Sequence, residues 1–258
     1  MKHKTVYVGF GFSLVTLVVL RVCQLLFTIE SDTGFYKPSY SNFSTLCIVA
    51  ILLFVFAMAY FSFTDINPES RGKEGKLCAV LSALTGGAIL AKAAVLIFGE
   101  ISALAIAVAV SAVMATVAYV GHAQAIFTDK PLKPAMFLLA VPFWLLELIF
   151  VFVENNDISA VPERAYDILT VCLCVMFSLS YMKFKAEMLT LVRTKLMVVL
   201  GLVASAFCFI STLPRYIVIL IGGGEQLHAS AISDVLFPMY GALIITFLFS
   251  TFKPNKVK

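Results

Sequence analysis

Hydrophobic positions along this chain do not alternate with polar ones at a helical or strand period; they form unbroken blocks. With a window of about 19 residues, eight apolar segments stand out, at 6–28, 44–63, 77–98, 101–120, 135–153, 165–181, 196–221 and 231–252. Each is long enough to cross a hydrocarbon core of about 30 Å at 1.5 Å per residue. The third and fourth are separated by little more than Gly99-Glu100. So long an apolar stretch cannot be one span, and Gly99 is a natural helix stop, so the pattern predicts a tight hairpin there. The predicted fold is all-α: a polytopic integral membrane protein of eight transmembrane helices, forming one helical domain over 1–258.

Composition agrees with that reading. Apolar residues make up 61% of the 258 positions and charged residues only 13%, with mean hydropathy +0.99. A soluble domain carries about 25% charge. The apolar material suffices for seven or eight spans and leaves no room for a separate soluble domain. Lys2 and Lys4 before the first block resemble the start of a signal peptide. The block is too long, contains Arg21 and lacks a small-x-small cleavage site, so the expectation is a retained span.

Charge placement sets the expected orientation. Of the nineteen Lys and Arg residues, fourteen fall on the side of the N-terminus, two (Lys37 and Arg164) on the other, and three lie inside spans. By the positive-inside rule both termini are expected in the cytoplasm, and the expected location is the cell (plasma) membrane. The net charge of +4 then reflects topology and attraction to anionic lipid, so the expected partner is the bilayer, with no nucleic acid. The segment from Lys183 to Lys195 alternates apolar and basic residues and predicts an amphipathic stretch on the anionic leaflet.

Catalytic and metal motifs are missing. There is no G-x-x-x-x-G-K-[ST], G-x-S-x-G or H-E-x-x-H. The three histidines are far apart and placed at or outside the spans, and Cys172 and Cys174 point to opposite faces of a helix, so no metal and no cofactor are expected. Gly222-Gly223-Gly224 reads as a turn. Small residues at every fourth position, Ala79, Ala83, Gly87 and Ala91 on the third span and Ala103, Ala107, Ser111 and Ala115 on the fourth, predict two ridges packed closely against each other.

The candidate site comes from the charges inside the blocks. Arg21, Lys92, Glu147 and Arg215 lie roughly 18–28 Å from the cytoplasmic edge, counted at 1.5 Å per residue. Asp167 and Asp234 begin their spans from the opposite side. All six therefore share the outer half of the bilayer, with Gln24 and Ser211 at helical spacing from the arginines. A charge at the bilayer centre costs about 2.5–3.5 kcal/mol or more, so it normally faces a partner or a wet cavity. Pro142, Pro214 and Pro238 lie beside three of these charges, and a proline inside a helix frees the carbonyl four residues back. The leading expectation is a site for a small anionic or zwitterionic solute or a lipid headgroup, bound or transported through an outer-half polar cavity. Arginine suits carboxylate or phosphate because its fork grips both oxygens. The first alternative is a non-catalytic assembly or sensing subunit whose charges pair with one another. The second is a lipid-modifying enzyme with Glu147 as general base. Phe35, Tyr36, Tyr40 and Phe43 around Thr33-Gly34 are expected as an aromatic lid or an interfacial belt.

Overall fold

The computed structural model describes residues 5–28, 41–65, 72–99, 102–130, 132–154, 162–221 and 231–252. They form helices α1 (Thr5–Thr28), α2 (Ser41–Asp65), α3 (Lys76–Phe98), α4 (Ala103–Phe127), α5 (Pro134–Leu138), α6 (Val141–Glu154), α7 (Pro162–Lys185), α8 (Leu191–Leu220) and α9 (Ala231–Thr251), with no strands among the described residues. Among the described residues, seven helical stretches are long and apolar enough to cross a membrane, α5 and α6 counting as one over Pro134–Val153. Among the described side chains of α2, the apolar stretch is Thr45–Phe61. The Thr33 to Tyr40 segment and the triple glycine lie outside the described residues.

The helix at the centre is α8. It packs on α1, α2, α7 and α9, and it is buried on nearly every side. A helix that is apolar all round belongs inside a bundle, and this one is. Its thirty residues span about 45 Å, longer than a bilayer core of about 30 Å. Close approach needs small residues here. A Cβ on Gly201 would stand 2.8 Å from the Phe177 ring, and one on Gly241 of α9 would stand 2.9 Å from Cys208 Cβ and 3.2 Å from the Ser205 carbonyl.

The α3–α4 hairpin is present, and Ser102 caps α4 by accepting from the Ala105 N–H at 3.0 Å. The ridges differ from expectation. On α3 the buried face runs Ala79, Ser82, Gly86, Ile89 and Ala93, whereas Gly87 and Ala91 are exposed. Gly86, not Gly87, touches the partner helix: its Cβ would meet Tyr119 and Val120 at 3.3 Å, and Thr116 Oγ1 donates to its carbonyl at 3.1 Å. On α4, Ala105, Ala109 and Ala112 replace the exposed Ala103. A strict four-residue repeat drifts round a helix of 3.6 residues per turn, so the true seam mixes steps of three and four.

Two further corrections concern helix ends. Pro142 does not kink a continuous helix; it sits at the start of α6, after a break that follows α5. The first turn is where proline costs least, because its missing N–H has no partner there anyway. The Lys183–Lys195 segment is not a separate surface helix. Its first residues finish α7, Glu187 turns the chain at φ 58, and α8 begins at Leu191.

Candidate functional site

Arg21, Lys92, Glu147, Asp167, Arg215 and Asp234 form groups that bridge helices. Lys92 of α3 donates through Nζ to Oε1 of Glu147 on α6 and to Ser233 Oγ on α9 at 3.0 Å. Glu147 is 0% exposed, and its other oxygen, Oε2, accepts no hydrogen bond among the described residues. Arg215 of α8 grips Asp167 of α7 with both ends of its fork, Nη2 to Oδ1 at 2.5 Å and Nη1 to Oδ2 at 3.2 Å. The same Nη2 lies 3.5 Å from Asp234 Oδ1 on α9, and Nε donates to the Ser211 carbonyl at 2.5 Å. Planar, two-point pairing of this kind is what guanidinium does best.

Arg21 of α1 donates to Gln24 Oε1, and its guanidinium lies 3.9 Å from the centroid of the Tyr166 ring. Thr28 Oγ1 in turn donates to the Gln24 carbonyl at 2.6 Å. Two pairs of neighbouring residues link the groups. Tyr166 and Asp167 on α7 meet Arg21 and Arg215; Ser233 and Asp234 on α9 meet Lys92 and Arg215. A belt therefore runs α1–α7–α8–α9–α3–α6. Arg21, Gln24, Lys92, Glu147, Arg215 and Asp234 are buried, Tyr166 and Ser233 are half-buried, and Asp167 keeps 21% exposure at the rim.

Three cations against three acids inside apolar surroundings require this kind of arrangement. Each charge gives up its hydration, and only a partner with good geometry compensates. Pro214 leaves the Ile210 carbonyl without its helical N–H donor, but the carbonyl that Arg215 takes is that of Ser211.

A second cluster, at the opposite end of the bundle, was not expected. This end holds Tyr7 and Phe252, joined by a hydrogen bond of 2.6 Å. Here α4 continues past residue 120 to Phe127, which makes His122 a buried helical residue rather than a loop one. His122 Nε2 lies 2.8 Å from Glu74 Oε2 and 3.2 Å from the Tyr181 hydroxyl; Nδ1 lies 3.2 Å from Ser82 Oγ, which itself donates to the Tyr119 carbonyl at 2.8 Å. Lys185, the last residue of α7, pairs with the other oxygen of Glu74. Burial pushes the Glu74 carboxyl up, but hydrogen bonds and positive charge from His122 and Lys185 outweigh it and hold it at about 2.

Beside this cluster is a cavity of about 30 Å³, walled by Tyr119, His122, Phe137, Tyr181, Tyr240 and Phe247. That is room for about two waters. At its inner end Ser178 and Tyr240 share a hydrogen bond of 2.6 Å, and the chain's single tryptophan, Trp144, donates to the Tyr119 hydroxyl at 3.0 Å.

The sequence held one sign of this cluster. Ser111, Ala115, Ala118 and His122 follow one another at helical spacing on the buried face of α4. Glu74 and Lys185 gave none, because each lies among other charges near a loop. The free thiols of Cys174 and Cys208 approach to 3.6 Å. Among the described residues, no group of three or more His, Cys, Asp or Glu is placed to hold a metal. No known protein family, curated protein or solved structure matches this chain.

Proposed function

We propose that this is a non-catalytic, eight-span protein of the cell membrane with cytoplasmic termini, an assembly or sensing component whose intramembrane charges tie helices together. The observation that carries the reading is the belt: its cations meet acids or polar groups, largely across helices, and α7 and α9 each serve two groups with adjacent residues. Glu147, the base that a lipid-modifying enzyme would use, is held by Lys92. The apolar helices support membrane residence, and the fourteen-to-two split of loop charges supports the orientation.

The test is a pair of substitutions. Glu147→Leu alone strands a buried ammonium and should destabilise by about 3–5 kcal/mol. Adding Lys92→Met removes the stranded charge and should recover most of that loss, read as the melting temperature of purified protein. A double variant no more stable than the single one refutes the tie. Reporter fusions after Thr64, Asp129 and Lys185 should report cytoplasm, and fusions at Asp32 and Asp157 the exterior; one reproducible inversion refutes the topology.

A second reading has one observation in its favour. Asp167, the carboxylate in the Arg215 fork, is one-fifth exposed. An anionic solute or lipid headgroup arriving from that side would compete with Asp167 for the same two N–H groups. Saturable stabilisation by a carboxylate or phosphate compound, lost in Arg215→Lys, would favour this reading over the structural one.

A further inference from the structure

The Lys185 ammonium does not rest on its carboxylate alone. Its Nζ lies 5.5 Å from the centroid of Phe137, 5.4 Å from Tyr181 and 5.7 Å from Phe247. These rings come from α5, α7 and α9, and all three also wall the cavity. The arrangement has the chemistry of an aromatic cage: ring faces within about 6 Å of a cation attract it through their quadrupoles, and nearby carboxylate balances its charge. Glu74 is that carboxylate, and it is ionised at neutral pH. Simple inorganic cations fit such a cage poorly, because they need oxygen ligands in number to replace their water. An organic ammonium, with its charge spread over carbon, does not.

The occupant is exchangeable by position. Lys185 ends α7, its side chain keeps 22% exposure, and the chain turns immediately afterwards at Glu187. Swinging the flexible stem outward puts the ammonium into water without disturbing a helix interior. The vacated space joins the adjacent cavity, whose far wall offers the Tyr240 hydroxyl and Ser178.

We propose that this end of the bundle is a binding site for a small organic ammonium ion, in which Phe137, Tyr181 and Phe247 face the cation, Glu74 balances its charge, and Lys185 is a tethered occupant that the solute displaces. The site is independent of the outer belt: it shares no residue with it, and it stands or falls on separate measurements.

Trp144 supplies the readout. It is the chain's single tryptophan, its ring centroid is 4.4 Å from that of Tyr240, and it donates to Tyr119, so it senses both cavity walls. Purified full-length protein in phosphatidylglycerol nanodiscs, where no lipid carries a quaternary ammonium, is titrated with tetramethylammonium chloride, with sodium chloride as control. In Lys185→Ala the Trp144 emission should shift saturably, at concentrations at least about tenfold below those needed by wild type, since the cage no longer has its own occupant. Adding Phe247→Leu should weaken this binding about tenfold. A folded Lys185→Ala protein with no saturable shift, or one that sodium chloride reproduces, overturns the proposal.

A second measurement needs no variant. In wild type, tetramethylammonium should raise the rate at which an amine-reactive ester labels Lys185, read by peptide mass spectrometry, while Lys76 and Lys195 keep their rates. An unchanged Lys185 rate up to saturating probe overturns displacement. The ammonium could come from a free solute or from a lipid headgroup. If phosphatidylcholine nanodiscs suppress the tetramethylammonium response, the headgroup occupies the site; if they leave it intact, the site takes a soluble cation.

Discussion

Charge is buried at both ends of this bundle, by two different means. In the belt of charges, Arg215 and Lys92 meet acids on other helices, and the exposure of Arg21, Lys92, Glu147, Arg215 and Asp234 stays at or below 6%, with Asp167 alone reaching 21% at the rim. At the other end, Lys185 is shared between Glu74 and three ring faces, lies a fifth open to solvent and adjoins a cavity. Arg21, Lys92, Glu147 and Arg215 sit within helices and are buried there. Lys185 sits at a helix end, so it moves alone. Fixed ion pairs set helix register; a cation at a chain turn, held by rings, can be exchanged.

The largest test of that contrast is Arg215→Ala. It leaves Asp167 and Asp234 without the guanidinium that holds both, and it should cost about 3–5 kcal/mol in thermal or chemical unfolding, with the rim exposure of Asp167 pulling toward the lower figure. A loss below about 1 kcal/mol would mean that the belt is as replaceable as a surface pair.

Next comes Glu74, whose contribution depends on pH. Its carboxyl sits at about 2 in the folded protein against an ordinary 4.5. A lowered value means that the stabilisation is fully present above about 4.5 and is lost as pH falls toward 2. At one pH unit per 1.36 kcal/mol this is of order 3 kcal/mol. Melting curves of wild type and Glu74→Gln should therefore separate at pH 7, close by more than half at pH 3 and meet only near pH 2. Parallel curves across that range would show that His122 and Lys185 do not hold the carboxylate charged.

The smallest effect concerns the packing between the two ends. Gly241→Ala puts a methyl 2.9 Å from Cys208 Cβ and 3.2 Å from the Ser205 carbonyl, neither of them a flexible tip. Overpacking of this kind costs about 1–3 kcal/mol. If α9 is what holds Ser233 and Asp234 in place, the variant should also weaken the belt, so its cost should not add to that of Arg215→Ala. Simple additivity would show that α8–α9 packing and the belt are separate.

Much of the fold was legible because bilayer-length apolar blocks leave few alternatives. The blocks ended where charges began, which placed most helix ends within a few residues. That rule fails in two ways: residues 121–127 continue α4 although His122 and Gln124 look like loop material, and α7 and α8 run on through the charged residues Lys183, Lys185, Arg193 and Lys195. The six intramembrane charges were also legible, because each is costly alone in lipid. Which charge meets which was not. Lys92 and Glu147 are fifty-five positions apart and Arg215 and Asp167 forty-eight; the second pairing follows from α7 packing on α8, and the first from α3 and α6 both packing on α4, which hydropathy does not encode. The cage was hidden for a different reason. Phe137, Tyr181 and Phe247 are ordinary core residues until a lysine at a helix end is placed among them.

Solvent access to the outer belt tests the central claim most directly. Gln24→Cys and Ser211→Cys, each in a background whose native cysteines are replaced, are exposed to a membrane-impermeant thiol reagent added outside intact cells, with a cysteine at Asp157 as the accessible control. Sealed ties predict that the control reacts while Gln24→Cys and Ser211→Cys stay unmodified until the protein is unfolded. Rapid labelling of either in the folded protein would contradict the account, because the charges would then line a water-filled opening.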